Sequence, residues 1–238
     1  MSVASPSAEE HEIVPGALAL PHGLLLLRAT GTLIAADVHL GYEDVIGGAL
    51  PLWSTASIVA VLEAAIERTG ARELVLLGDV VHSTSMSEGA ARAIRAALDG
   101  LRARCEVVAI AGNHEGRSRG RAILGETDES VERDGWRLLH GDRPPLERAR
   151  CIVGHLHPSL RMGGPTGMPV MLGCADLIVA PALTPYSPGL DVRSPDCARA
   201  LGAFGVRADA MFAVACGEDR VYPFGSVGTL RAASRTSG

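Results

Sequence analysis

Seven side chains with metal-binding chemistry stand where short apolar runs of the sequence end. Asp37 and His39 close TLIAAD-V-H, Asp79 closes LVLLGD, Asn113 closes VAIAGN, His140 closes RLLHG, and His155 and His157 close CIVGHLH. Taken singly, each motif has an ordinary explanation. Gly-Asp after a strand is a common turn, Asn-His can form a left-handed turn pair, and a lone histidine is more often a partly buried structural residue. Taken as a set, they offer carboxylate, amide carbonyl and neutral imidazole, which suit divalent ions such as Mn²⁺, Fe²⁺ or Zn²⁺. The absence of thiolate argues against a structural zinc knot. Seven donors exceed what one open catalytic ion uses, whereas two ions about 3.5 to 4 Å apart, sharing a carboxylate, would use them all. Asp79 is the candidate for the shared ligand. Glu43, His82, Glu115, Arg117 and Asp142 lie close to these donors in sequence and are candidates for substrate contact or ligand support. Surface roles are equally open to Glu43 and Asp142, and a solvated basic turn would account for Arg117, Arg119 and Arg121 as well as a phosphate clamp would.

The donors need elements to carry them. LLLLR (24–28) and TLIAAD (32–37) flank Ala-Thr-Gly, which predicts a hairpin. ELVLLGD (73–79), EVVAIAGN (106–113), WRLLHG (136–141) and CIVGH (151–155) read as further buried strands. Residues 54–70 place Ile58, Val59, Leu62, Ala65 and Ile66 on one helical face, and 87–103 repeat the spacing with Ile94, Leu98 and Leu101. Alternation of strand and helix predicts crossovers and a largely parallel sheet whose strand ends share a rim, where such folds place their sites. Beyond 168 the runs PVMLGC, LIVAPA, AMFAVAC and RVYPFG suggest a more antiparallel sheet.

Composition narrows the function. The 238-residue chain, 47% hydrophobic, is long enough for one large domain, expected over 13–225 between a disordered lead (1–12) and a flexible Ser/Arg/Gly-rich tail (226–238). The polar, acidic start lacks the basic-then-apolar order of a secretory signal, and no apolar run is long enough to cross a bilayer, so a soluble cytoplasmic protein is expected. Five scattered cysteines without a C-x-x-C pair read as reduced core residues. A net charge of −5 argues against a general polyanion-coating surface, and 3% aromatics leave few stacking platforms.

The ordered set D-x-H, G-D, G-N-H-E, H-G and G-H-x-H, spanning about residues 33 to 160, resembles the calcineurin-like metallophosphoesterase superfamily. The resemblance implies a four-layer α/β/β/α sandwich with two mixed central sheets. It implies two divalent ions, with Mn²⁺ first and Fe²⁺ or Zn²⁺ as alternatives. Asp37, His39, Asp79 and His157 would hold one ion, and Asp79, Asn113, His140 and His155 the other. It leaves His114 as the free imidazole beside the scissile phosphate. DVHLGYE, GDVVHS, HGD and GHLHPS look most like the PdeM-type group, phosphoesterases linked with DNA ligases and described as DNA-repair endonucleases. Two positions depart from the wider pattern. His82 stands where many relatives carry the second Asp of G-D-x-x-D, and Glu115 replaces the Asp of G-N-H-D. Both departures bear on how ligands and His114 are oriented.

The chemistry implied is phosphodiester hydrolysis, with an activated water attacking phosphorus in line and His114 stabilising charge or protonating the leaving oxygen. Only 25 residues separate His114 from His140, and 14 separate His140 from His155, so no cap domain fits between these motifs. The site should be shallow and open, which favours an extended phosphodiester such as DNA, with repair proteins of ligase or helicase type as partners. The alternative is a small-molecule nucleotide phosphodiesterase or phosphatase, with a homodimer partner completing the pocket. A phosphoesterase-shaped scaffold without chemistry is disfavoured because every mapped ligand is present.

Overall fold

A computed structural model of the chain describes residues 8–46, 53–82, 86–113, 119–163 and 167–236. The first half alternates as the sequence pattern requires. Strands β1 (His11–Val14), β2 (Ala17–Ala19), β3 (Leu25–Leu27) and β4 (Thr32–Ala36) form an antiparallel meander, with helices α1 (Tyr42–Ile46) and α2 (Trp53–Thr69) following. Then come β5 (Glu73–Leu77), α3 (Glu88–Arg102), β6 (Glu106–Ile110) and the short α4 (Arg119–Leu124). The six strands make one sheet in sequence order, with β4, β5 and β6 parallel. The parallel step at β4 requires a crossover, which α2 supplies, while the β3–β4 hairpin turns through Gly31, whose φ of 67° suits glycine.

The second half builds a nine-stranded mixed sheet. Its members are β7 (Ser130–Arg133), β8 (Trp136–Leu139), β9 (Cys151–Val153), β10 (Pro158–Leu160), β11 (Met168–Gly173), β12 (Leu177–Val179), β13 (Leu190–Asp191), β14 (Phe212–Cys216) and β15 (Val221–Ser226). Strands β8, β9 and β12 run parallel; β11, β14 and β15 pair antiparallel, in line with the change of pattern after 168. Helices α5 (Pro195–Ala203) and α6 (Val227–Thr236) complete the chain.

Three apolar clusters define four layers. Along β4 and β5, Leu33, Ala35, Leu74 and Leu76 face α2 and α3, meeting Ile58, Leu62, Ile94 and Leu98. The alternate residues Ile34, Ala36, Val75 and Leu77 face the other sheet, meeting Trp136, Leu138, Ile152 and Met171. The far side of that sheet packs on α5 and α6 through Val153, Val170, Cys197, Leu201 and Val227. Strands covered on both faces must be apolar at every position, which is why these runs lack a polar alternation. The α/β/β/α sandwich is therefore the observed fold. Ser87 caps α3, its Oγ accepting from Ala90 N–H at 3.1 Å, and Asp44 fixes Ser87 through two contacts of 2.7 Å.

Both ends differ from expectation. His11 and Glu12, placed in a disordered lead, open β1, and His11 stacks on Phe212 at 5.5 Å. The segment expected as a flexible tail carries α6, whose Val227 is buried and whose Arg231 binds Asp209 at 2.6 Å and the carbonyl of Ser194 at 3.1 Å. Its Ser/Arg/Gly composition conceals this, because the helix is stabilised by docking and not by propensity. All five cysteines are free thiols, three of them buried. Among the described residues, no helix is long and apolar enough to cross a membrane.

Candidate metal centre

The seven expected donors converge on the rim where the two sheets meet. Asp37 and His39 follow β4, Asp79 follows β5, Asn113 follows β6, His140 follows β8, and His155 and His157 follow β9. The sheets touch here. An added Cβ at Gly154 would lie 2.6 Å from Asp37 Oδ2 and 2.8 Å from Ala36 Cβ, so only glycine lets β9 end against β4. The same glycine frees the following amide, and His155 N–H donates to Asp37 Oδ2 at 2.8 Å.

Two groups result. Asp37, His39 and His157 present ligand atoms within 4.8 Å of one another, as do Asp79, His140 and His155. Asn113 joins the second group, its Oδ1 lying 2.8 Å from His140 Nε2. That nitrogen is also 3.4 Å from Asp79 Oδ2 and 3.1 Å from His155 Nδ1. Donors from three other segments thus gather around His140 Nε2. In the first group His157 Nε2 stands 3.1 Å from Asp37 Oδ1.

The backbone is held in an unusual state at these positions. Asp37, His39, Asp79, His155 and His157 all have positive φ, between 44° and 60°. For residues other than glycine this region costs about 1 to 3 kcal/mol each, and such strain persists where the surrounding structure enforces it for function. Here it turns each side chain at a strand end back toward the shared rim.

Burial and charge set the protonation of the cluster. Burial lowers His39 to about 4 against the opposing pull of Asp79 and Asp37, which keeps its imidazole neutral. Burial lowers His155 as well, with the His140 charge adding to it. Burial would also lower His140, but the Asp79 and Asp37 carboxylates more than offset it and raise the ring to about 9. A cation at this point is therefore electrostatically favoured.

The donors fit a metal on a further ground. Asp37 Oδ1 is fully buried and receives no hydrogen bond. An anionic oxygen in that state is costly unless a cation meets it. Ring tautomers are also prepared. His157 Nδ1 contacts Ser187 Oγ at 2.6 Å, and His140 Nδ1 lies 3.3 Å from the Leu77 carbonyl. Both partners direct Nε2 toward the cluster, as is usual for histidine ligands.

The supporting candidates divide. His82 Nδ1 lies 2.9 Å from His39 Nδ1, so this departure from the wider pattern still reaches a ligand. Asp142 is exposed and pairs loosely with Arg143 at 3.7 Å, while its charge is felt by His155. Glu43 is occupied elsewhere: buried, it accepts from Ser54 N–H at 2.5 Å at the start of α2. His114, Glu115 and Arg117 lie outside the described residues, while Arg119 and Arg121 begin α4. Sequence reasoning missed Ser187, Thr184, Tyr42 and Tyr186. Thr184 N–H donates to the Asp37 carbonyl at 3.3 Å, and Tyr42 stacks on Tyr186 beside His82. Tyr42 belongs to DVHLGYE, three residues past His39, but TPYS (184–187) carries no motif that would betray it. A cleft of about 620 Å³ opens from His157 and Ser187 between Leu160, Met168, Pro181 and Pro185.

A two-sheet sandwich with paired acid and histidine groups at its rim forms a candidate metal centre. Residues 32–159 match the family model for calcineurin-like phosphoesterases, and the chain belongs to that family, whose members hydrolyse phosphoesters with two divalent metals. No curated protein matches the sequence. Among solved structures, the chain is similar to nuclease MPE from Pseudomonas putida, with TM-score 0.68 and 21% identity, covering 92% of this chain and 99% of that one. It also matches Yfce, a phosphoesterase from E. coli, with TM-score 0.40 and 18% identity over 64% of this chain and 80% of that one.

Proposed function

We propose that the protein is a manganese-dependent nuclease that hydrolyses phosphodiester bonds in DNA. The observation that carries this reading is the pair of ligand groups meeting at one rim, with Asp79, Asn113 and His155 gathered around His140 Nε2. Asp37, His39, Asp79 and His157 would hold one ion, and Asp79, Asn113, His140 and His155 the other. Asp79 suits the shared position because its charge acts on both His39 and His140. When bound, the ions supply Lewis-acid charge toward phosphoryl oxygens and make water acidic enough to attack.

The chain's own residues do the rest. Ser187 and the Leu77 carbonyl hold the His157 and His140 rings in place. His114, next in sequence to Asn113, would donate a proton to the leaving oxygen. The fold shared with nuclease MPE, over nearly the whole length of both chains, supports nucleic acid as substrate. So does the cleft of about 620 Å³ that adjoins His157 at the rim. The PdeM-type motifs favour work alongside ligase- or helicase-type repair proteins. The formal charge of −5 favours a second reading, a nucleotide phosphodiesterase acting on small substrates.

One panel separates these: Mn²⁺-loaded protein assayed on single-stranded DNA, a cyclic nucleotide and a nitrophenyl phosphodiester, with metal content measured on the same preparation. Strand cleavage with close to two metals per chain is expected. Turnover of only the two small substrates refutes the nuclease reading, and a metal-free, inert protein refutes both.

A further inference from the structure

Tyr186 exposes 41% of its surface, although it lies beside the metal centre. Its ring stacks on Tyr42 with centroids 4.4 Å apart and planes at 19°. Tyr42 meets His82 edge-on at 4.4 Å, and His82 meets His39 at 4.9 Å. A column of rings therefore runs from solvent down to a residue of the first ligand group. The loop carrying Tyr186 is tied on both sides: Thr184 N–H donates to the Asp37 carbonyl at 3.3 Å, and Ser187 Oγ contacts His157 Nδ1 at 2.6 Å. Tyr186 is thus fixed relative to Asp37 and His157, residues on which the scissile phosphate would be centred.

An exposed ring is not itself a site. Here three circumstances combine. The chain has only three tyrosines, yet two are stacked together at this rim. Tyr42 stacks on one face of Tyr186, while 41% of Tyr186 stays exposed to meet another flat group. That surface adjoins a centre whose chemistry acts on phosphodiesters. Stacking of a base on tyrosine is strong and tolerant of sequence, because every base offers a π face. A duplex keeps its base faces covered, so the partner must be an unpaired base.

We propose that Tyr186, backed by Tyr42, is the platform on which one base of single-stranded DNA stacks next to the phosphodiester being cleaved. This deepens the nuclease reading and rests on it. The platform selects flexible single strands over duplex, and it supplies binding that a net-negative chain cannot draw from basic residues alone. Tyr42 acts as a positioning residue, since it touches the base only through Tyr186.

The test compares an oligothymidylate with an abasic strand of equal length, by fluorescence anisotropy with the metals chelated and by KM with Mn²⁺ present. The wild-type protein should prefer the base-bearing strand by about tenfold in both measurements, as one base–aromatic stack provides. Tyr186→Ala should bring that ratio close to one, and Tyr186→Phe should restore it, because the phenyl ring still stacks. An unchanged ratio in Tyr186→Ala, or no preference in the wild type, overturns the platform while strand cleavage leaves the nuclease reading standing. A base preference in binding without strand cleavage would instead overturn the nuclease reading and, with it, the placement of the base beside a reacting phosphate.

Discussion

Replacing Gly112 by alanine should disable the metal centre without removing any of its donors. A Cβ at Gly112 would lie 2.2 Å from both the backbone nitrogen and Oδ1 of Asp79, and 2.9 Å from its Cα. Asp79 lies two residues past β5, which is hydrogen-bonded between β4 and β6, and the contact is with its backbone, so no change of rotamer relieves it. The ends of β5 and β6 must part. Restoring an ordinary contact near 3.4 Å needs a displacement of about 1.2 Å, comparable with shifts that cost about a hundredfold in rate. Overpacking of this kind costs about 1 to 3 kcal/mol, which most domains of this size survive. Mn²⁺ affinity measured by titration calorimetry should fall about tenfold or more. Hydrolysis of a nitrophenyl phosphodiester should fall about a hundredfold, with denaturant unfolding still cooperative. Gly202→Ala in α5 is the control, because nothing lies within 4 Å of its Cβ position. It should keep full activity and gain up to about 1 kcal/mol of helix stability. Gly112→Ala with wild-type affinity and rate would refute the argument that the two strand ends set the ligand geometry.

Three further outcomes are expected. Ser187→Ala removes the partner of His157 Nδ1 at 2.6 Å and should weaken metal binding about 10- to 100-fold, read by calorimetry, with a smaller effect on the folded state. His114→Ala should retain both metals by elemental analysis yet lose about 10²- to 10⁴-fold in turnover, whereas loss of metal would show that its role is structural. Burial alone would raise the pKa of Glu73, but hydrogen bonds from Arg133 at 2.5 Å and Thr32 at 2.9 Å outweigh it and hold the carboxyl below its ordinary 4.5. Its stabilisation is therefore complete above about pH 4.5 and lost as pH falls through the depressed folded value. Glu73→Gln should lower stability by about 1 to 3 kcal/mol at neutral pH and make the acid limb of a stability–pH profile shallower; an unchanged limb would place acid sensitivity elsewhere.

The amino-acid sequence by itself located β3 to β6 with α2 and α3 between them, and then β8 and β9, because strands covered on both faces leave unbroken apolar runs and amphipathic helices leave a 3.6-residue spacing. It also named the donor set, since Asp37, Asp79, Asn113 and the histidines close those runs. It did not reveal β1, α5 or α6, whose stability comes from docking onto distant residues, such as Arg231 on Asp209. Only the tertiary structure decided that five segments share one rim and that His155 N–H reaches Asp37 across 118 positions. The left-handed backbone at five donor positions likewise depends on close packing of two sheets. Tyr186 and Ser187 join the site through a loop, and Tyr42 through the start of α1; none has a role until folding sets Ser187 against His157 and Tyr42 between His82 and Tyr186. Local spacing records which residues are available, whereas contacts between remote segments fix where they point, and the chemistry of this centre depends on both.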